Sequence, residues 1–234
     1  VFEFVTWAVA TLGIVTLTIV LAERYGVEIA VGIFAALAVL ANVLAVKRIA
    51  VGALIGPAGV LVYSSTFLIT DILGEIYGKE YGKRAVIAGF FANIVALVSI
   101  LIAVSWQPAP SYVMPPELEK AFEEIFSFAP RIVIASMIAY LISQTHDVYA
   151  FHFWKVKTGG KYLWLRNNAS TMVSQLIDTV LFITIAFYGV VPGEALVGMI
   201  LGQYIIKVAI ALLDTPFMYL ATYTWKVLSP TPLS

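Results

Sequence analysis

Ser143-Gln144-Thr145-His146-Asp147-Val148-Tyr149-Ala150-Phe151 and Ser174-Gln175-Leu176-Ile177-Asp178-Thr179-Val180-Leu181-Phe182 share the pattern SQ-x2-D-x3-F. Both copies lie in stretches otherwise apolar enough to cross a bilayer. On a helix, the Gln, Asp and Phe of each copy fall at i, i+3 and i+7, so an amide, a carboxylate and a ring share one face. An aspartate at the centre of a membrane helix costs about 2.5–3.5 kcal/mol on insertion scales. Two spans that each carry one point to a polar site between helices, in an all-α, polytopic membrane bundle.

Composition supports the same class. Of 234 residues, 61% are hydrophobic and 12% charged, and the mean hydropathy is +0.95. A soluble domain of that composition would expose a largely apolar surface. There is no cysteine, which removes disulfides, thiolate metal sites and a cysteine nucleophile. The formal charge is zero, so nothing points to nucleic acid. No phosphate-binding glycine loop is present, so the chain does not itself hydrolyse ATP. His146 and His152 lie on one helix without a partner motif, so neither zinc nor another cofactor is expected.

Apolar runs place seven spans in one transmembrane domain over 1–234, at about 4–22, 29–46, 58–77, 84–104, 131–153, 170–189 and 195–227. The first is expected to be a span rather than a signal peptide. Pro216 predicts a kink or an aromatic-rich interfacial end in the last, with Tyr219, Tyr223 and Trp225. Segment 117–128 puts Leu118, Phe122, Ile125 and Phe126 on one face and acidic residues on the other, an amphipathic helix at the surface or a solvated connector. Residues 47–57, with Gly52, Gly56 and Pro57, read as a turn or small hairpin over the site. Nine Lys and Arg after spans one, three, five and seven face four in the opposite loops. That bias puts the N-terminus outside and the C-terminus in the cytoplasm.

Counting depth along each helix leaves polar groups at overlapping heights. These are Asn42, the pair Asp71 and Glu75, Asn93, Gln144 and Asp147, Gln175 and Asp178, Gln203 and Lys207. Asn93 and Gln203 read as helix–helix glue. The isolated charges Asp71, Asp147, Asp178 and Lys207 read as functional, or as an ion pair of Lys207 with Asp178 or Asp71 that only neutralises itself. Small residues on the second span, among them Gly32, Ala38 and Ala41, suit close internal packing. An intramembrane aspartyl protease built on Asp147 and Asp178 lacks the YD and GxGD contexts, so no enzyme is expected. A proton-coupled carrier of some other small solute is the alternative.

The stretch Ser65 through Gly78, with Asp71 and Glu75, resembles the third-span signature of the queuosine precursor transporter family, once labelled as vitamin-uptake proteins. Arg131 through Phe151, Trp164 through Thr179, Lys207 and Asn42 fit the same pattern in order, over about residues 29–226. The resemblance implies uptake of 7-cyano- or 7-aminomethyl-7-deazaguanine across the cell membrane. It also implies a six-helix core similar to the substrate-binding subunits of energy-coupling-factor transporters, with one extra N-terminal helix. The partners it implies are a purine-like base, membrane lipid, and a second copy or an energy-coupling module.

A purine-like ligand also suits the residues. A carboxylate accepts the adjacent N–H donors of a guanine edge, Lys and amides serve its acceptors, and rings stack on it. The expected substrate-binding set is Asn42, Phe67, Asp71, Gln144, Asp147, Phe151, Ser170, Gln175, Asp178 and Lys207. Phe182 is a further wall.

Overall fold

The apolar runs become helices in the structure, a computed structural model that describes residues 2–45, 47–52, 54–126 and 130–228. Val46, Ser127 and Phe128, the ends of two expected segments, lie outside the described residues. The order is α1 (Phe2–Tyr25), α2 (Glu28–Leu44), β1 (Arg48–Val51), β2 (Leu54–Pro57), α3 (Gly59–Ile76), α4 (Lys79–Ser105), α5 (Pro116–Phe126), α6 (Pro130–Lys157), α7 (Leu163–Phe187) and α8 (Gly193–Leu228). By length and composition α1, α3, α4, α7 and α8 can each cross a membrane. The chain is an all-α polytopic bundle, apart from the antiparallel β1–β2 hairpin with Ile49 opposite Gly56.

The central element is α3, in which every residue but Tyr63 is buried. It packs against α1, α2, α4, α6, α7 and α8. Most hydroxyls of this central helix are satisfied on its own backbone, Ser64 excepted. Ser65 donates to the Val62 carbonyl at 2.7 Å, Thr66 to Tyr63 at 2.6 Å and Thr70 to Phe67 at 2.9 Å. Its first residue, Gly59, admits the α2 backbone, because a Cβ there would run into the Ala41 carbonyl. Ala38 and Ala41 of the small-residue face are buried, whereas a Cβ at Gly32 would meet no neighbouring element within 4 Å.

Helix α8 continues through Pro216 for 36 residues. Of its aromatic end, Tyr219 and Tyr223 are exposed but Trp225 is buried, with its ring edge-on to Tyr77 at 4.8 Å. Helices α6 and α7 form an antiparallel hairpin whose turn uses positive φ at Gly159, Gly160 and Tyr162. Arg166 fastens that turn by donating to the Gly160 and Lys161 carbonyls at 2.7 and 2.9 Å.

Candidate functional site

The antiparallel α6–α7 packing crosses the two copies of the repeated pattern, so each serine meets the other copy's aspartate. Ser143 donates to Asp178 Oδ1 at 3.2 Å, and Ser174 donates to Asp147 Oδ1 at 3.1 Å. These contacts anchor two polar regions.

The first borders a cavity of about 150 Å³. Asp178 and Lys207 form a buried ion pair there, Lys207 Nζ lying 2.5 Å from Asp178 Oδ2. The Tyr63 hydroxyl donates to Asp178 Oδ1 at 2.7 Å, and its ring lies 5.3 Å from the ammonium. A pair so deep is held by additional hydrogen bonds, without which its desolvation would outweigh its attraction. On the far wall, Asn42 donates to Asn93 Oδ1 at 2.6 Å, Asn93 donates to the Gly89 carbonyl at 2.8 Å, and Ser136 donates to Asn42 Oδ1 at 3.2 Å. Gln203, Pro57 of the hairpin, and the apolar Val39, Leu97, Ile100 and Phe182 complete the lining. A carboxylate, an ammonium, a phenol and amides between apolar walls suit a small, flat heteroaromatic ligand.

The second region gathers carboxylates. Asp147 also accepts from Thr70, the residue before Asp71 on α3, at 3.3 Å. Asp71 accepts from Thr171 at 3.3 Å, and Asn167 donates to Asp214 at 2.8 Å. Toward the α6–α7 turn, Glu75 meets Arg166 at 2.5 Å and Lys155 at 3.8 Å. Lys155 also donates to the Glu75 carbonyl at 3.0 Å, which caps the end of α3. Among the described residues, no cluster of His, Cys, Asp or Glu is arranged to hold a metal ion.

Of the expected ligand residues, Asn42, Asp178 and Lys207 line the cavity, as does Phe182. Asp71 and Asp147 sit together in the carboxylate region, outside the lining. Gln144 donates to Thr66 Oγ1 at 2.6 Å, Ser170 bonds back to the Asn167 carbonyl at 3.2 Å, and Gln175 is buried with neither amide atom hydrogen-bonded. Phe67 packs edge-on to Tyr63 at 5.6 Å, and Phe151 lies 5.6 Å under the Arg166 guanidinium. Arg166, expected among the loop cations, is 1% exposed and paired with Glu75. Sequence reasoning missed Tyr63, Ser136, Asn167 and Thr171. Tyr63 carried a signal there, two helical turns before Asp71 on the same α3, and Asn167 and Thr171 lie in the Trp164–Thr179 block that carries the family resemblance.

Residues 57–221 match the family model described as "Putative vitamin uptake transporter". A protein of Bacillus subtilis (strain 168) named "Probable queuosine precursor transporter" is 35% identical over 185 residues, covering 78% of this chain and 79% of its own. No solved structure matches.

Proposed function

The chain belongs to the vitamin uptake transporter family, and on that premise we propose that it imports a 7-deazaguanine base, a precursor of queuosine or archaeosine, through the Asp178–Lys207 cavity. It is a multi-pass membrane transporter rather than an enzyme. The Bacillus relative's name, at 35% identity over most of both chains, supports a queuosine precursor as cargo.

The observation that carries the cavity assignment is a buried carboxylate and ammonium on the wall of one cavity. The amino and ring N–H groups of a guanine edge present two adjacent donors, which Asp178 accepts once Tyr63 or Lys207 swings aside. Lys207 then faces the base carbonyl, the Asn42–Asn93 pair serves the remaining polar edge, and Phe182 lies against the ring. With Arg166 set aside as a buried partner of Glu75, the Lys and Arg bias becomes eight against four. That bias favours a cytoplasmic C-terminus with the β-hairpin side of the cavity outside, the orientation that uptake requires.

Equilibrium binding of radiolabelled 7-cyano-7-deazaguanine to the purified protein tests this. Asp178→Asn loses hydrogen bonds to a charged acceptor, each worth about 1.5–3 kcal/mol, so affinity should fall at least about tenfold. Unchanged binding and uptake in that variant would sink the assignment. A panel of nucleobases separates this cargo from other small solutes, since only guanine-like faces should compete.

A further inference from the structure

Among the described residues, every basic side chain near the second serine–aspartate contact is already engaged. The helices packed around Asp71 and Asp147 present Glu75 from α3, His146 and Lys155 from α6, Arg166 and Asp178 from α7, and Lys207 and Asp214 from α8. Helix α4 brings Lys79, Glu80, Lys83 and Arg84 only at its start, where Lys79 and Lys83 lie over the Tyr149 ring. On α1 and α2 the charged residues sit only near the helix ends. Arg166 and Lys155 go to Glu75, and Lys207 goes to Asp178. Among the described residues, no basic nitrogen lies within ion-pair distance of Asp71, Asp147 or Asp214.

The unpartnered buried atoms on these helices include four acceptors beside the donors Gln175 Nε2 and Arg166 Nε. Asp71 Oδ1, Asp214 Oδ2, Asn167 Oδ1 and Gln144 Oε1 are buried without a hydrogen bond, and all four are acceptors. Asn167 is fully buried with its amide turned onto Asp214. Asp71 Oδ1 and Asp214 Oδ2 have no donor, and a carboxyl that takes up a proton becomes one. A metal cage would also supply positive charge, but no such arrangement exists among the described residues.

A route to the cluster is present. His146 lines a groove between α6 and α7, together with Tyr149, Phe153 and Trp154 along α6. Its Nδ1 lies 2.9 Å from Ser174 Oγ, which lies 3.1 Å from Asp147 Oδ1. The same hydroxyl is 2.8 Å from the Ser170 carbonyl, so its one proton turns between two acceptors.

We propose that Asp71 and Asp147 form a proton-binding site, separate from the base cavity and loaded from the groove through His146 and Ser174. A proton arriving at His146 Nε2 releases the one on Nδ1 to Ser174 Oγ, while Ser174 passes its own hydroxyl proton to Asp147. One proton moves inward. His146 is left protonated on Nε2 with the Ser174 hydroxyl facing Nδ1, so the hydroxyl turns back and the imidazole exchanges back to its Nδ1–H tautomer before the next proton. The site does not depend on which cargo is carried; its use in driving import rests on the function proposed above.

Infrared difference spectra of the purified full chain in H2O and D2O test the site without any cargo. A protonated-carboxyl carbonyl band should be present at neutral pH and diminish in Asp147→Asn and in Asp71→Asn. Should Asp147→Asn fail to fold, the Asp71→Asn spectrum decides the same question. Ser174→Ala should slow hydrogen–deuterium exchange of that band about tenfold and Ser174→Thr should restore it. A band absent from the wild type, or unchanged in both Asp variants, overturns the site, and wild-type exchange in Ser174→Ala overturns the relay. In proteoliposomes, an inward proton gradient should drive accumulation of 7-cyano-7-deazaguanine, and Asp147→Asn should only equilibrate it. Accumulation driven by a sodium gradient instead overturns the coupling role. A wild type that binds no base at all defeats the import proposal, while the carboxyl band still decides for or against the proton site.

Discussion

Ser143–Asp178 and Ser174–Asp147 are the same contact made twice, yet they sit in opposite electrostatic settings. At the first, Lys207 neutralises the aspartate and a cavity opens beside it. At the second, the neighbouring carboxylates are Asp71 and Asp214, with no ion-pair partner among the described residues and no share in that cavity. The difference is supplied by α8. Lys207 and Asp214 are seven residues apart on that helix, so they share a face about 10 Å apart along its axis. One α8 face therefore presents a cation near one copy and a carboxylate near the other. A repeated local pattern fixes which groups enter the interior, and a third helix decides what they do there.

The comparison breaks most visibly at Lys207. Lys207→Met leaves Asp178 buried and unpaired, and stability should fall by about 3–5 kcal/mol. The neutral double variant Asp178→Asn with Lys207→Met should recover most of that loss in thermal unfolding. Equal losses in single and double variants would show that the pair is not the stabilising unit.

Next in size is the packing that holds both regions around α3. Gly59→Val forces a side chain into the Ala41 carbonyl, and about 1–3 kcal/mol should be lost through overpacking. An unchanged melting temperature would mean that α2 and α3 separate freely.

The serines give the sharpest contrast at moderate cost. Ser143→Ala removes one hydrogen bond to a charged acceptor, about 1.5 kcal/mol, and should weaken base binding about tenfold. Ser174→Ala, which touches no cavity residue, should leave that affinity within about twofold. If both serines affected binding equally, the two contacts would belong to one site. The smallest effect is expected from Asn93→Ala, which unties Asn42 on the far wall. It should cost about 1 kcal/mol, a several-fold loss of affinity by titration.

Hydropathy and charge spacing carried much of the architecture, because a bilayer demands long apolar helices with their backbone groups satisfied internally. The site was legible in part. Asp178, Lys207 and Asn42 stood out because charges and amides are costly inside a span, and the structure puts all three on one cavity. Gln175 and Phe151 stood out by the same logic, yet one is buried without a hydrogen bond and the other lies beneath Arg166. Depth along a helix is readable from residue counting, but rotation about the helix axis and the choice of neighbour are not. Arg166 shows the limit. Its place beside a turn suggested a solvated cation, whereas its guanidinium folds inward onto Glu75.

By itself, the sequence determined that the chain is a membrane bundle, that two of its helices carry the same Ser–Gln–Asp unit, and which charges must be accommodated in the interior. It did so because the cost of burial depends on residue type and local spacing alone. Only the tertiary structure decided that the units cross, serine to opposite aspartate, and that one aspartate receives Lys207 while the other receives Asp71. Those pairings depend on the antiparallel register of α6 and α7 and on the face that α8 turns toward them, which are set by packing between segments distant in the chain.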